Sequence, residues 1–197
     1  ESNLPSDYGK SWKLIFSHPK HFPPVCSSEI LELAQAQDVF AEMDAELFVL
    51  STDLLDQHRS WKASLEEVHY RDREPVKIAF PLIADNDLAI SKKYGMIHNA
   101  ASIKENIRGV YFINPDNEIR AIYFYPNEVG RNVDEIQRTL EALQTTYNNS
   151  AVVTPANWEP GDDLIVPVLS QEQKESLGMP GSDLYRLNWY MTFKKSE

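Results

Sequence analysis

The sequence predicts an α/β domain of three layers with a mixed central sheet, followed by a smaller C-terminal piece. Three observations point there. Short β-rich runs alternate with helical periodicity through the first two thirds of the chain. The alternation closes on two β-rich runs flanking a turn cluster, Gly109–Asn114 and Ile119–Tyr125 around Pro115-Asp-Asn117. That is a hairpin, and it brings an antiparallel pair into an otherwise parallel pattern. After Asn149 the character shifts to loops and very short apolar runs.

Trp12–Phe16 is short and apolar and is followed by turn residues, so it reads as a buried strand. From Ser27 the period becomes helical, with Ile30, Leu33, Ala34, Gln37, Phe40 and Ala41 on one face. Glu29 and Glu32 lie in its first turns, where carboxylates favour the helix dipole. Glu46–Ser51 is a second strand, and Asp53–Val68 a second helix with Leu54, His58, Trp61 and Leu65 inward. Lys77–Ile83 is strand-like, with Pro81 marking an edge or a bend. A short helix is expected over Asp87–Tyr94, before the hairpin. Asn132–Tyr147 is the best amphipathic helix, with Val133, Ile136, Leu140 and Leu143 inward and Asn132 as its cap. Beyond it, Leu164–Pro167 is a short strand and Tyr185–Lys194 another. The resulting division is 1–149 and 150–197, the second piece being too small for a sturdy core of its own.

The totals exclude several classes. The 197 residues are 42% hydrophobic and 25% charged, which suits a folded globule. A formal charge of −11 repels phosphate backbones and anionic lipid, so neither nucleic acid nor a membrane surface is an expected partner. The single cysteine, Cys26, permits no internal disulfide and no multi-cysteine zinc site, and it fits a reducing, cytoplasmic setting. The histidines are scattered. Prolines around His18 and His21 argue against a helical ligand pair, so no metal and no cofactor is expected.

Cys26 stands at the start of the first helix and after a strand. Unpaired N–H groups there favour a thiolate, and open α/β sheets place their sites at that edge. A free cysteine is also among the most buried residue types. Position alone leaves a reactive thiol and a core thiol both open.

The surrounding residues then match a known pattern. FSHPKHFPPVCSSE, from Phe16 to Glu29, resembles the peroxidatic-cysteine motif of the peroxiredoxins. Ile107–Pro115 resembles the family's arginine-bearing strand. Tyr125–Ile136 resembles its YPxxxGRNxxEI segment, and Thr154–Asp162 the TPxNWxxGD of its one-cysteine subfamily. The match runs in order over nearly the whole chain. It implies a thioredoxin-like domain with a small C-terminal peroxiredoxin domain that helps form a homodimer or higher homo-oligomer. It implies a thiol peroxidase that reduces peroxides at Cys26 and is recycled by an external thiol. Arg108 would lie against the sulfur, favouring thiolate and polarising peroxide. Arg131 resembles a second arginine of the pocket and His18 a pocket histidine. Glu29 would orient an arginine bidentately, its ordinary alternative being a first-turn helix carboxylate. On this reading Cys26 is accessible.

Two departures stand out. Where the family has threonine or serine, this chain has Pro23, which offers neither a hydroxyl nor an N–H. A lost charge-assisted hydrogen bond of about 1.5–3 kcal/mol slows the chemistry roughly ten- to a hundredfold. A second reading follows: a weakened member acting as a peroxide sensor or a dimeric binding scaffold. Also, the family's N-terminal β-hairpin is expected to be missing or short, because only ten residues precede Ser11.

Overall fold

A computed structural model describes residues 4, 6–19, 24–98 and 105–196. Pro23 and His21 lie outside the described residues. The chain divides into two compact units, Glu1–Val133 and Asp134–Glu197.

The first unit is built on a five-stranded mixed sheet, ordered β3-β2-β1-β4-β5. After a 3-10 turn at Ser6–Tyr8, the elements are β1 (Trp12–Ser17), α1 (Pro24–Glu42), β2 (Ala45–Ser51), α2 (Leu55–Leu65), β3 (Leu82–Ala84), α3 (Ala89–Lys93), β4 (Arg108–Ile113) and β5 (Ile119–Tyr125). β1 runs parallel to β2 and antiparallel to β4, and β4 and β5 form the hairpin. All six residues of β1 and of β4 are buried, which only a strand covered on both faces achieves. On one face Ile15, Phe48, Leu50, Tyr111 and Ile113 close around Met96. At about 25 cal/mol per Å², such central positions supply most of the drive to fold.

α1 opens on Pro24, whose fixed φ suits a first turn and whose missing N–H has no helical partner to lose. It ends at Glu42, and two residues on Asp44 turns the chain, held in the left-handed region at φ 52°, a conformation aspartate tolerates better than most residues. The carbonyl of Asp44 then accepts from Trp12 N–H at 2.9 Å, tying the helix end to the start of β1. In the hairpin, Asn114 Oδ1 accepts from the N–H groups of Asp116 and Glu118, and Asn117 takes the left-handed position at φ 66°.

The strand expected over Lys77–Ile83 shrinks to β3 at the sheet edge. Side chains take over the backbone before it. Glu66 accepts from Ile78 N–H, while Gln37 accepts from Ala79 N–H and donates to Lys77 O. Pro81, without an N–H, begins the pairing through its carbonyl, which accepts from Val49 N–H at 3.1 Å.

In the second unit, α4 (Val133–Asn148) is followed by β6 (Leu164–Ile165), α5 (Gln171–Ser176), β7 (Leu184–Asn188) and β8 (Met191–Lys194). The strand expected over Tyr185–Lys194 is two strands, and the sheet order is β6-β8-β7. Its small core is Val152, Val166 and Leu184 with Leu164, Leu169 and Leu177 around them. α5 went unread in the sequence, although Ser170 and Gln173 form a capping box at its start.

Candidate active site

Topology brings the site together at one end of β1. Ser17, the last residue of β1, pairs with Gly109, so Arg108 at the start of β4 lies beside the exit of β1. The chain returns from that exit into α1, with Cys26 as its third residue. Arg108, 1% exposed, donates from Nη2 to Cys26 Sγ at 3.2 Å and to Asn127 O at 3.0 Å. Its Nη1 donates to Glu29 Oε2 at 2.5 Å.

Glu29 sits one turn past Cys26 and is 4% exposed. It also holds Arg131, accepting from Nε at 3.0 Å, Nη2 at 2.7 Å and the backbone N–H at 2.8 Å. Glu29 is therefore far more than a helix-dipole carboxylate. It grips Arg131 with both oxygens and keeps Arg108 turned toward the sulfur. Arg131 Nη1 in turn donates to Ser17 O and Gly109 O, clamping the exit of β1 to β4.

Charge balance gives this cluster its chemistry. Two buried guanidiniums face one carboxylate, leaving one positive charge in excess. A Cys26 thiolate neutralises it. Burial nevertheless pushes the Cys26 thiol above its ordinary range, against the pull of Arg108, with Glu29 pushing the same way as burial. This corrects the expectation of a lowered pKa. The helix end and the arginines favour the thiolate, but Cys26, only 1% exposed, has lost more solvation than they return. The expected accessible thiol is likewise found buried.

His18 is 1% exposed, its Nδ1 on Pro19 O at 2.7 Å and its ring edge-on to Trp61 at 5.2 Å. Burial pushes its pKa down to about 3, helped by Arg131, His58 and Arg108. The buried imidazole is thus neutral near neutral pH. A base held below its unfolded pKa leaves stability intact above about 6.5 and erodes it as the pH falls toward 3. Between pH 7.5 and pH 5 this single group is expected to cost about 2 kcal/mol. The check is urea unfolding at both pH values, in which His18→Asn should lose about that much less than the wild type.

The sequence reading placed Trp61 and His58 on an inward face without a role, and it gave no sign of the Asn127 carbonyl. Among the described residues, no cluster of three or more histidine, cysteine, aspartate or glutamate side chains is placed to hold a metal ion. No helix among them is long and apolar enough to cross a membrane.

Comparison with known proteins places these features. Residues 2–122 match the AhpC/TSA family, and residues 142–177 match the C-terminal domain of 1-Cys peroxiredoxin. A peroxiredoxin of Methanosarcina mazei is 40% identical over 195 residues, spanning 98% of this chain and 89% of that protein. A 1-Cys peroxiredoxin of Dictyostelium discoideum is 39% identical over 176 residues, spanning 89% and 70%. Among solved structures, a yeast mitochondrial 1-Cys peroxiredoxin, described for its thiol resolving mechanism via glutathione/thioredoxin systems, superposes with a TM-score of 0.81 at 33% identity. That match covers 96% of this chain and 89% of the yeast chain. A cysteine-to-serine mutant of the peroxiredoxin 6 of Arenicola marina gives 0.82 at 28% identity, covering 96% and 87%.

Proposed function

This chain belongs to the AhpC/TSA family of peroxiredoxins and is a thiol peroxidase with one cysteine, and we propose that it reduces hydrogen peroxide and small organic hydroperoxides through a sulfenic acid at Cys26. The observation that carries this reading is Arg108 Nη2 at 3.2 Å from Sγ within a buried cluster one negative charge short of neutral.

Cys26 thiolate attacks the terminal peroxide oxygen. The S–O bond forms as the O–O bond breaks. The alkoxide or hydroxide leaves and takes up a proton, and the sulfur, oxidised by two electrons, becomes sulfenic acid. Arg108 lies where charge moves from sulfur to the departing oxygen, so it serves both ends of the transfer. Glu29 and Arg131 hold it there. An external thiol then attacks the sulfenic sulfur, water leaves, and a second thiol releases Cys26 from the mixed disulfide. The glutathione and thioredoxin systems of the yeast relative suggest the kind of reductant.

In this reading residues 1–149 carry the chemistry and residues 150–197 serve dimerisation. Leu187, Trp189 and Tyr190, exposed on the β7–β8 hairpin, support the second part. The setting is a reducing one such as the cytoplasm, since the only cysteine is the reacting one.

Pro23 motivates the second reading, a slow member that senses peroxide or scaffolds a dimer. Restoring the hydroxyl tests between them. If Pro23 limits the chemistry, Pro23→Thr raises the rate of Cys26 oxidation roughly ten- to a hundredfold. An unchanged rate removes the ground for the second reading.

A further inference from the structure

We propose that Trp61 is a positioning residue for Cys26, acting through the Ser27 hydroxyl. Trp61 lies on α2, is 3% exposed, and donates from its indole Nε1 to Ser27 Oγ at 3.1 Å. Ser27 directly follows the reacting cysteine. The first turn of a helix is its weakest part, because its N–H groups have no intrahelical partners. In α1 the bond from Trp61 ties that turn from outside, while Arg108 reaches the sulfur from β4.

Trp61 is itself held. One turn earlier on α2, His58 bonds Ser51 at the end of β2, with Nε2 at 2.6 Å from Ser51 Oγ. Ser51 gives its proton to Asp53 Oδ2 at 3.1 Å and accepts from Asp53 N–H at 3.2 Å. With the hydroxyl proton committed to Asp53, His58 is the donor in the first of these bonds. Ser51, Asp53 and His58 are all at least 97% buried, so this anchor fixes the start of α2 to the sheet. His18 fills the space between, its ring 5.2 Å from Trp61 and 6.4 Å from His58. A continuous path of bonded and packed groups thus runs from β2 through α2 to the turn carrying Cys26. Attack on peroxide demands a sulfur held in register with Arg108, and small displacements are costly in rate. The indole N–H keeps that register.

The test uses the full chain in four variants: Trp61→Phe, Ser27→Ala, the double variant, and Ser27→Thr. The readout is the second-order rate of Cys26 oxidation by hydrogen peroxide, with circular dichroism to confirm folding. Each of the first two is expected to slow oxidation roughly three- to tenfold, as loss of one neutral hydrogen bond allows. The double variant should be no slower than the slower single one, because both remove the same bond. Ser27→Thr keeps the hydroxyl and should fall within about twofold of the wild type. Wild-type rates in Ser27→Ala, or slowings that multiply in the double variant, overturn the proposal. Ser27→Ala is a small change at a half-buried position, so it decides the matter even if Trp61→Phe fails to fold. The inference rests on Cys26 being the reacting thiol. A fast wild type with unaffected variants sinks the inference alone, whereas a slow wild type sinks the function.

Discussion

Cys26→Ser is expected to abolish peroxide consumption and leave the fold intact. The hydroxyl of serine ionises far above neutral pH, so even beside Arg108 it supplies no nucleophile for the O–O bond. Structurally the change is mild. Serine is slightly smaller than cysteine, and its oxygen can accept from Arg108 Nη2 as the sulfur does. The cost in stability is expected to stay near 1 kcal/mol. Consumption of hydrogen peroxide with excess thiol should fall to the uncatalysed level, while the thermal midpoint moves by only a few degrees. Retained activity would mean that the reaction does not pass through this sulfur.

Glu29→Ala should be the most destabilising single change at the site. Glu29 is the one carboxylate bonded to both Arg108 and Arg131, all within a shell less than a tenth exposed. Removing one partner of a buried ion pair costs about 3–5 kcal/mol, because the remaining charge stays buried without compensation. Here two guanidiniums are left at once. A loss of that size lowers the thermal midpoint of a chain this long by about 10 °C or more. Oxidation of Cys26 should also slow, since Arg108 loses the carboxylate that turns it to the sulfur. Glu32 supplies the control. It meets Arg71 and Arg73 near the surface, and its pairs should be worth less than about 1 kcal/mol each. Urea unfolding of Glu29→Ala beside Glu32→Ala makes the comparison. Equal, small losses would show that Glu29 is not the keystone of the cluster.

Much of this was legible in the sequence. The alternating periods gave β1, α1, β2 and α2 in order, and the two β-rich runs around Pro115-Asp-Asn117 gave the hairpin. Cys26 could be set at the start of a helix because polar residues and Glu29 precede an apolar stripe of period 3.6. What stayed hidden depends on partners distant in sequence. The failed strand before Pro81 is one case, where Gln37 of α1 and Glu66 at the end of α2 hold its backbone. The direction of the Cys26 shift is another. Local reasoning sees the helix end and a nearby cation, but burial is set by the whole packed unit. The shared grip of Glu29 on two arginines needed β4 and the loop after β5 to arrive together, which no spacing along the chain reveals. Trp61 read simply as an inward residue of α2, since only the fold brings its indole to Ser27.

The most direct test of the central claim is the second-order rate at which reduced Cys26 gains one oxygen from substoichiometric hydrogen peroxide, followed by mass. A site in which Arg108 donates to the sulfur, and Glu29 keeps it turned there, should react orders of magnitude faster than free cysteine even though burial raises the thiol, because the guanidinium stabilises charge as it moves to the departing oxygen. A rate equal to that of free cysteine would contradict the account, leaving a peroxiredoxin fold whose buried cluster does no more than hold the chain together.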